Sequence, residues 1–314
     1  MVLLIHVFGQ ILISESTLIG SFQWNIANII DSISRCSVPL FFMLSGALLL
    51  NKKLDTKRFL LGRLKKVAIP FVFWSLIYSL FNRYYFKNEA FNLKKVIRDI
   101  FHGSEDHLWF IFVLLGLYLI APLISGYLRK KNDLIFFIVL WFMATTLSFL
   151  GFTHYLPKID VTYFYGYIGY FVLGYYLSRN PFSNLLSGIL LIIGLTVTIL
   201  FTYLSSVSNG FFVHKFYGYL TPNVIIVSIA IFSFLTRIEI RKTITKKIFF
   251  QLSKLSFGIY LSHMLFLSFL LEIKVNYFTS NGLFDSIVIF FFCFICSIGI
   301  TWIMKKMPLL KRFV

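Results

Sequence analysis

Two histidines stand inside long apolar runs, where an ionisable side chain is costly and therefore marks a candidate functional site. His6 lies within the stretch Leu4–Phe8, and His263 follows Tyr260 by three residues, so that these two share one face of a helix. An imidazole in such a place can take a proton from a hydroxyl or accept an acyl group itself. The alternative is a structural histidine bonded to a carbonyl or a tyrosine hydroxyl. The residues alone leave both interpretations open.

Asp31 and Arg35 are one helical turn apart at the start of another apolar run, so they share a face of a helix and could pair. Interpreted structurally, they neutralise each other near the outer membrane interface. Interpreted functionally, the Arg35 guanidinium faces a polar cavity and binds an anion or a developing oxyanion. Pro39 and Gly46 follow within the same run, and such residues kink helices or let them approach closely.

A third group of polar residues precedes an aromatic pair in the segment Ser104–Phe110. His107 follows Glu105 and Asp106, so we expect the imidazole to be held partly charged, where it could serve a site that faces a sugar. Trp109 also suits the aromatic belt that lies at a membrane interface.

Cations are concentrated in the short segment after the run that contains Arg35. They exceed what membrane orientation requires and could hold a phosphate-rich ligand, although orientation and lipid headgroups also account for them. The cations are Lys52, Lys53, Lys57, Arg58, Arg63, Lys65 and Lys66. No metal site is predicted, because the histidines show no ligand spacing and the pair Cys293 and Cys296 has no His or acid at ligand spacing.

The composition indicates an integral membrane protein. Hydrophobic residues make up 58% of the 314 residues and charged residues 13%, against about 25% charged in soluble domains. The net charge of +18 would suggest nucleic acid in a soluble protein, but here it is accounted for by helix-end cations, so no nucleic-acid partner is predicted.

The hydrophobic runs predict an all-α fold of about ten transmembrane helices, since a bilayer core needs about 20 apolar residues per helix. The first run, Met1–Ile13, is too short to span alone. The others are Ile30–Leu50, Val67–Phe86, Leu108–Leu128, Leu134–Phe152, Tyr163–Leu177, Leu185–Ser205, Leu220–Leu235, Leu255–Ile273 and Asp285–Met304. We predict one transmembrane domain over residues 1–314.

Most of the 30 Lys and Arg residues fall in every second gap between these runs. Basic residues resist translocation, so these gaps are predicted to be cytoplasmic, as are both termini of this multi-pass cell-membrane protein. The outer segment Lys87–His107 mixes charged and apolar residues at the spacing of a short amphipathic helix. The inner segment Arg237–Lys254 could form another.

Five strings, in this order, resemble the acyltransferase-3 family of membrane O-acyltransferases, and the likeness runs from end to end of the chain. Each string is weakly specific, whereas the five at these intervals are a strong signal. They are Leu3–His6; Arg35 with Val38–Gly46; Phe59 with Arg63–Lys66 and Ile69–Phe71; His107–Phe110 with Leu117, Tyr118 and Pro122; and Phe257–His263.

The resemblance implies an enzyme that moves an acyl group, usually acetyl, from cytosolic acyl-CoA to a hydroxyl of a cell-surface polysaccharide or lipid-linked glycan precursor. It makes His6 the leading catalytic candidate, with Arg35 and His107 steadying charge or orienting the sugar. Arg63 and Lys66 match the motif at which acyl-CoA phosphates would dock. Trp109, Tyr260 and His263 complete the substrate-binding candidates. Acetyl-CoA is implied as donor substrate, with no tightly bound cofactor.

One departure concerns the beginning of the chain. Members of the family usually carry an Asp and an Arg before the first-span histidine, whereas only five residues precede His6 here. The first helix is therefore predicted to be truncated, and either translation starts upstream or the protein is an inactive shortened homologue. The main rival function is a transporter that exports a glycan or acyl intermediate unchanged.

Overall fold

We analysed a computed structural model of the chain. It describes residues 1–14, 17–51, 55–86, 92–102, 104–127, 130–151, 162–272 and 282–314. Several predicted features extend outside these ranges, namely Lys52, Lys53, the part 87–91 of the outer amphipathic segment, and the predicted span ends Leu128, Phe152 and Ile273.

Within these ranges every regular element is helical, as predicted. The α-helices are α1 (Val2–Ile13), α2 (Phe22–Ser34), α3 (Ser37–Leu49), α4 (Thr56–Leu80), α5 (Leu93–His102), α6 (Trp109–Tyr127), α7 (Lys131–Phe149), α8 (Thr162–Arg179), α9 (Asn184–Asn209), α10 (Pro222–Arg237), α11 (Thr243–Glu272) and α12 (Gly282–Lys306). A π-helical turn, Phe81–Phe86, follows α4, and short 3₁₀ turns lie at Asp106–Leu108, Lys215–Tyr217 and Lys311–Phe313.

Eight helical stretches in the described residues are long and apolar enough to cross a membrane, with α2 and α3 together forming one of them. The short helix α1 and helix α8 occupy the remaining two predicted positions. The protein is thus an all-helical, multi-pass membrane protein. The count of ten and the cytoplasmic location of both termini stay predictions.

The two segments predicted to form short amphipathic helices differ in the structure. The outer one forms α5, a helix of 10 residues, as expected. The inner one does not form a separate helix, because residues from Thr243 onward are the first turns of the 30-residue α11.

The chain divides into two compact units. Unit 1 comprises Met1–Phe59 and Gly116–Glu239, and unit 2 comprises Leu60–Leu115 and Ile240–Val314. Unit 1 therefore holds α1–α3 and α7–α10, and unit 2 holds α5, α11, α12 and most of α4.

In unit 1, the break between α2 and α3 is placed by Pro39. A proline inside a helix has no N–H to donate to the carbonyl four residues earlier, and its ring crowds that carbonyl. Here that carbonyl belongs to Arg35, and the helix is interrupted at Arg35 and Cys36. The proline therefore sets the candidate functional arginine at an irregular point within an apolar stretch.

Helices α3 and α8 of unit 1 approach so closely that glycine is required at the contact. A Cβ atom built on Gly46 would lie 1.7 Å from the carbonyl oxygen of Phe171, and one on Gly174 would lie 2.0 Å from that of Met43. Each glycine thus admits the backbone of the other helix, as small residues do in membrane proteins.

We expect Gly46→Ala to destabilise the protein by at least the roughly 1–3 kcal/mol typical of overpacking, since the obstacle is backbone and cannot rotate away. The measurement is the midpoint of thermal unfolding of the purified protein in detergent. Gly116→Ala in α6 is the matched control, because a Cβ there meets no atom within 4 Å in the part of the chain that the structure describes. Equal midpoints for the two variants would contradict this account of the α3–α8 contact.

In unit 2, Tyr78 of α4 is fully buried and joins α4 to α11. Its hydroxyl donates to the carbonyl of Leu261 at 2.7 Å and accepts from the N–H of Leu265 at 3.1 Å. An uninterrupted helix would join those two backbone groups directly, so the hydroxyl lies between hydrogen-bonding groups of one helical turn. That turn of α11 carries His263.

Two further contacts join other parts of unit 2 to α4 and to the π-helical turn that follows it. The indole of Trp74 donates to the carbonyl of Phe313 at 3.0 Å, and the Phe313 ring stacks on Phe73 at 4.2 Å between centroids. At the other end, Arg83 makes a two-pronged ion pair with Asp99 of α5 at 2.5 and 2.7 Å. The hydrogen bonds from Arg83 lower the pKa of Asp99, which keeps this carboxylate charged.

Candidate active site

His6 lies on the less buried face of α1. The opposite face packs in the core of unit 1 through residues such as Val7, Phe8 and Ile11, whereas His6 is half-buried and Ile13 is exposed. Gly9 stands one turn further along, and a Cβ there would meet no atom of the described residues within 4 Å. The His6 ring thus lies on the face of α1 opposite to the core of unit 1.

Arg35 forms the predicted pair with Asp31. The guanidinium Nη2 lies 2.7 Å from the carboxylate Oδ2, and only 1% of the Asp31 side chain is exposed against 17% for Arg35. The Nε of Arg35 and the other carboxylate oxygen of Asp31 are buried without a hydrogen-bond partner among the residues that the structure describes. The pair therefore retains hydrogen-bonding capacity at its buried end.

Two tyrosines from the segment before α10 hold the Arg35 guanidinium. Its central carbon lies 4.5 Å from the ring centroid of Tyr217 and 6.0 Å from that of Tyr219, which is cation–π distance. Tyr217 donates to the side-chain oxygen of Asn28, whose amide donates to the carbonyl of Ile199 at 3.1 Å. The plane of the guanidinium is thus set by residues far apart in the chain.

In unit 2, three of the predicted residues come together around a buried imidazole. His107 is 3% exposed, and its ring centroid lies 5.0 Å from that of His263 and 5.5 Å from that of Tyr260. The Tyr260 hydroxyl donates to the His107 carbonyl, and Nδ1 of His263 lies 2.6 Å from the Tyr260 carbonyl. Tyr78 completes the group at 5.3 Å from His107.

The two acidic neighbours of His107 differ from each other in burial and contacts. The Glu105 carboxylate accepts a hydrogen bond of 2.6 Å from the Asn82 amide, and the Asp106 side chain is exposed. Burial raises the pKa of Glu105, which favours its neutral form. The structure places the rings of Tyr78, Tyr260 and His263 around His107, and the expected influence of the two acidic neighbours on its charge stays a prediction.

The remaining predicted residues are less enclosed. Trp109 is half-buried at the start of α6, 6.4 Å from the Phe110 ring. Arg63 and Lys66 are exposed and one turn apart near the start of α4, so both lie on one face of that helix. An exposed pair of cations at this spacing can hold phosphate groups.

Sequence reasoning missed Asn28, Tyr78, Tyr217 and Tyr219. Tyrosine is abundant in the chain, at 17 residues, so its presence at these positions carried no signal. Only the contacts of Tyr217 and Tyr219 with Arg35, and of Tyr78 with α11, distinguish them.

The fold and these buried polar clusters define a multi-pass membrane protein with functional groups at membrane depth. The family model described as an acyltransferase domain matches residues 1–306, so the chain belongs to the acyltransferase-3 family of membrane acyltransferases. This confirms the resemblance found in the five strings.

The curated relatives are similar over the whole chain. The "Probable poly-beta-1,6-N-acetyl-D-glucosamine export protein" of Staphylococcus aureus strain Mu50 is 27% identical over 331 residues, which cover 100% of this chain and 91% of the relative. The proteins of that name from strains MSSA476 and MRSA252 show the same identity and coverage. No solved structure matches the chain.

Proposed function

We propose that the protein transfers an acyl group, in the first instance acetyl, from cytosolic acyl-CoA to a hydroxyl of a cell-surface polysaccharide or a lipid-linked glycan precursor. The observation that carries this proposal is the acyltransferase-domain match over residues 1–306, which includes a histidine within an apolar helix. The names of the relatives favour a polymer of β-1,6-linked N-acetylglucosamine as the acceptor.

In this mechanism, the imidazole of His6 takes the proton from the acceptor hydroxyl, whose oxygen attacks the thioester carbonyl. The C–O bond forms, the C–S bond breaks, and the CoA thiolate recovers the proton from the imidazolium. A variant of the same chemistry passes the acyl group through the imidazole. Arg35 stabilises the oxyanion that develops at the carbonyl, because its guanidinium is held by the tyrosines and cannot reorient freely. His107, with Tyr260, His263 and Trp109, orients the glycan.

The direct test is transfer by the purified full-length protein in lipid nanodiscs. Acetyl-CoA and a short β-1,6-linked N-acetylglucosamine oligosaccharide are supplied, and both released CoA thiol and acetylated sugar are measured by mass spectrometry. We expect equal amounts of the two products. Release of neither would overturn the proposal for this donor and acceptor.

Export of the glycan without chemical change is the second candidate, favoured by the names of the relatives. In cells lacking the gene, an exporter predicts less polysaccharide outside, with unaltered acyl content in what remains. A transferase predicts the loss of O-acyl groups. Mass spectrometry of the surface polysaccharide separates the two.

We expect Arg63→Ala to raise the KM for acetyl-CoA roughly tenfold with little change in kcat, since it removes one charge-assisted contact to a phosphate. Lys65→Ala is the matched control, because it removes the same charge two positions along, from another face of α4. Steady-state kinetics with saturating acceptor is the measurement. An equal rise in both variants would indicate general attraction to charge instead of docking at Arg63.

A further inference from the structure

Unit 1 contains a cavity of about 290 Å³, close to the lower limit of about 300 Å³ for small-molecule pockets. It lies at the end of α7, beside α8 and the segment that leads into α10. Its lining includes three aromatic side chains, those of Phe149, Tyr167 and Tyr219. It also includes the three aliphatic hydroxyl groups of Thr145, Ser148 and Thr221. The volume suits one ring-sized ligand and not a long polymer segment.

The aliphatic hydroxyls are arranged to accept hydrogen bonds. Thr145 donates to the Trp141 carbonyl at 3.0 Å, Ser148 to that of Ala144 at 2.9 Å and Thr221 to that of Gly218 at 2.7 Å. Because each proton is directed to a carbonyl of the chain, the oxygen lone pairs are left for a ligand. A ligand rich in O–H donors therefore fits this lining.

The aromatic rings and the charges restrict the ligand further. Aromatic faces pack against the apolar C–H face of a sugar ring, while the few polar groups fix its orientation. All the described residues that line the cavity are uncharged, so a cationic ligand would lose its water without gaining a counter-charge. Beside the cavity, the Lys215 ammonium lies 5.1 Å from the Phe149 ring centroid and would repel a cation.

The cavity is connected to the candidate active site through Tyr219. This residue lines the cavity and also lies at cation–π distance from Arg35. The Tyr170 hydroxyl donates to its backbone carbonyl, which holds the segment in place. A ligand in the cavity would thus lie against the tyrosine that borders the Arg35 guanidinium.

We propose that this cavity binds one neutral sugar residue of the glycan, with Phe149, Tyr167 and Tyr219 packing on its ring and the three hydroxyls accepting from its O–H groups. The identity of that glycan as the acceptor rests on the proposed function. The preference for a neutral polyol rests on the lining alone.

The test is equilibrium binding of a β-1,6-linked N-acetylglucosamine oligosaccharide to the full-length protein in nanodiscs, without acyl-CoA. We expect Phe149→Leu to raise the Kd roughly tenfold, as the loss of one aromatic contact would. Phe201→Leu is the matched control: both rings contact Phe216, at 5.7 and 5.4 Å, but Phe201 does not line the cavity. Ser148→Ala is a second variant, for the case that Phe149→Leu folds poorly, because it is a small change in a half-buried side chain. We expect Ser148→Ala to raise the Kd severalfold. A cationic glucosamine oligomer should bind more weakly than the N-acetylated one.

The results of these binding experiments distinguish a failure of the sugar-site proposal from a failure of the proposed acyltransferase function. No binding of the neutral oligosaccharide, or an unchanged Kd in both Phe149→Leu and Ser148→Ala, overturns the cavity assignment even when acyl transfer is intact. Binding weakened as expected, in a protein that transfers no acyl group, supports the sugar site and overturns the transferase function. Equal losses in Phe149→Leu and Phe201→Leu also count against the cavity.

Discussion

Replacing His6 with alanine should lower acyl transfer by roughly 10²–10⁴-fold, the usual contribution of a general base. The protein should still insert and fold, because His6 lies on the less buried face of α1, away from the core residues of that helix. The measurement is O-acyl content of the surface polysaccharide in cells, together with CoA release by the purified variant. His6→Gln should be equally inactive, because an amide keeps the polar shape but cannot take the proton.

Gln10→Ala provides the control. Gln10 stands one turn from His6, and its side-chain amide donates to the His6 carbonyl at 3.5 Å. It should keep near-normal transfer, which would show that the face of α1 tolerates substitution. Undiminished acetylation with His6→Ala would remove this residue from the mechanism.

Replacing Arg35 with alanine should damage both stability and activity. It leaves the Asp31 carboxylate, 1% exposed, without its counter-charge, and breaking a buried pair in this way costs about 3–5 kcal/mol. We therefore expect a lower unfolding midpoint and loss of transfer together. The single variant cannot separate the two effects.

The double variant Asp31→Asn/Arg35→Ala makes the separation. With no uncompensated carboxylate, it should regain much of the lost stability while transfer stays low. Arg35→Lys should also fold but transfer poorly, because an ammonium lacks the planar group that packs on Tyr217. Normal transfer by the double variant would make the pair purely structural.

Much of the fold follows from hydropathy, since a bilayer demands long apolar helices and the cost of breaking them is local. The predicted runs correspond to helices, and α5 appears within the predicted amphipathic segment. The error at α2 has a physical cause. Asn25 and Asn28 lower the local hydropathy, so the sequence predicts a span that begins at Ile30, whereas the helix begins at Phe22.

Those polar side chains are accommodated by partners elsewhere in unit 1. Asn25 donates to the carbonyl of Gly20 at 2.9 Å, and Asn28 bonds to Ile199 and Tyr217. A polar residue satisfied in this way can lie within a membrane helix at little cost. Hydropathy cannot detect such partners, because it sums neighbours along the chain.

The sequence by itself determined the membrane class, the approximate helices, the pairing of Asp31 with Arg35 and the histidines worth testing, because each depends on residues close together in the chain. The tertiary structure alone decided which groups surround them. It brought His107 to Tyr260 and His263, and it placed Tyr217 and Tyr219 on Arg35. It also formed the hydroxyl-lined cavity, which Tyr219 borders. The hydrogen bond between Tyr217 and Asn28, which helps to hold this arrangement, joins residues 189 positions apart, and such geometry is set by how helices pack against one another.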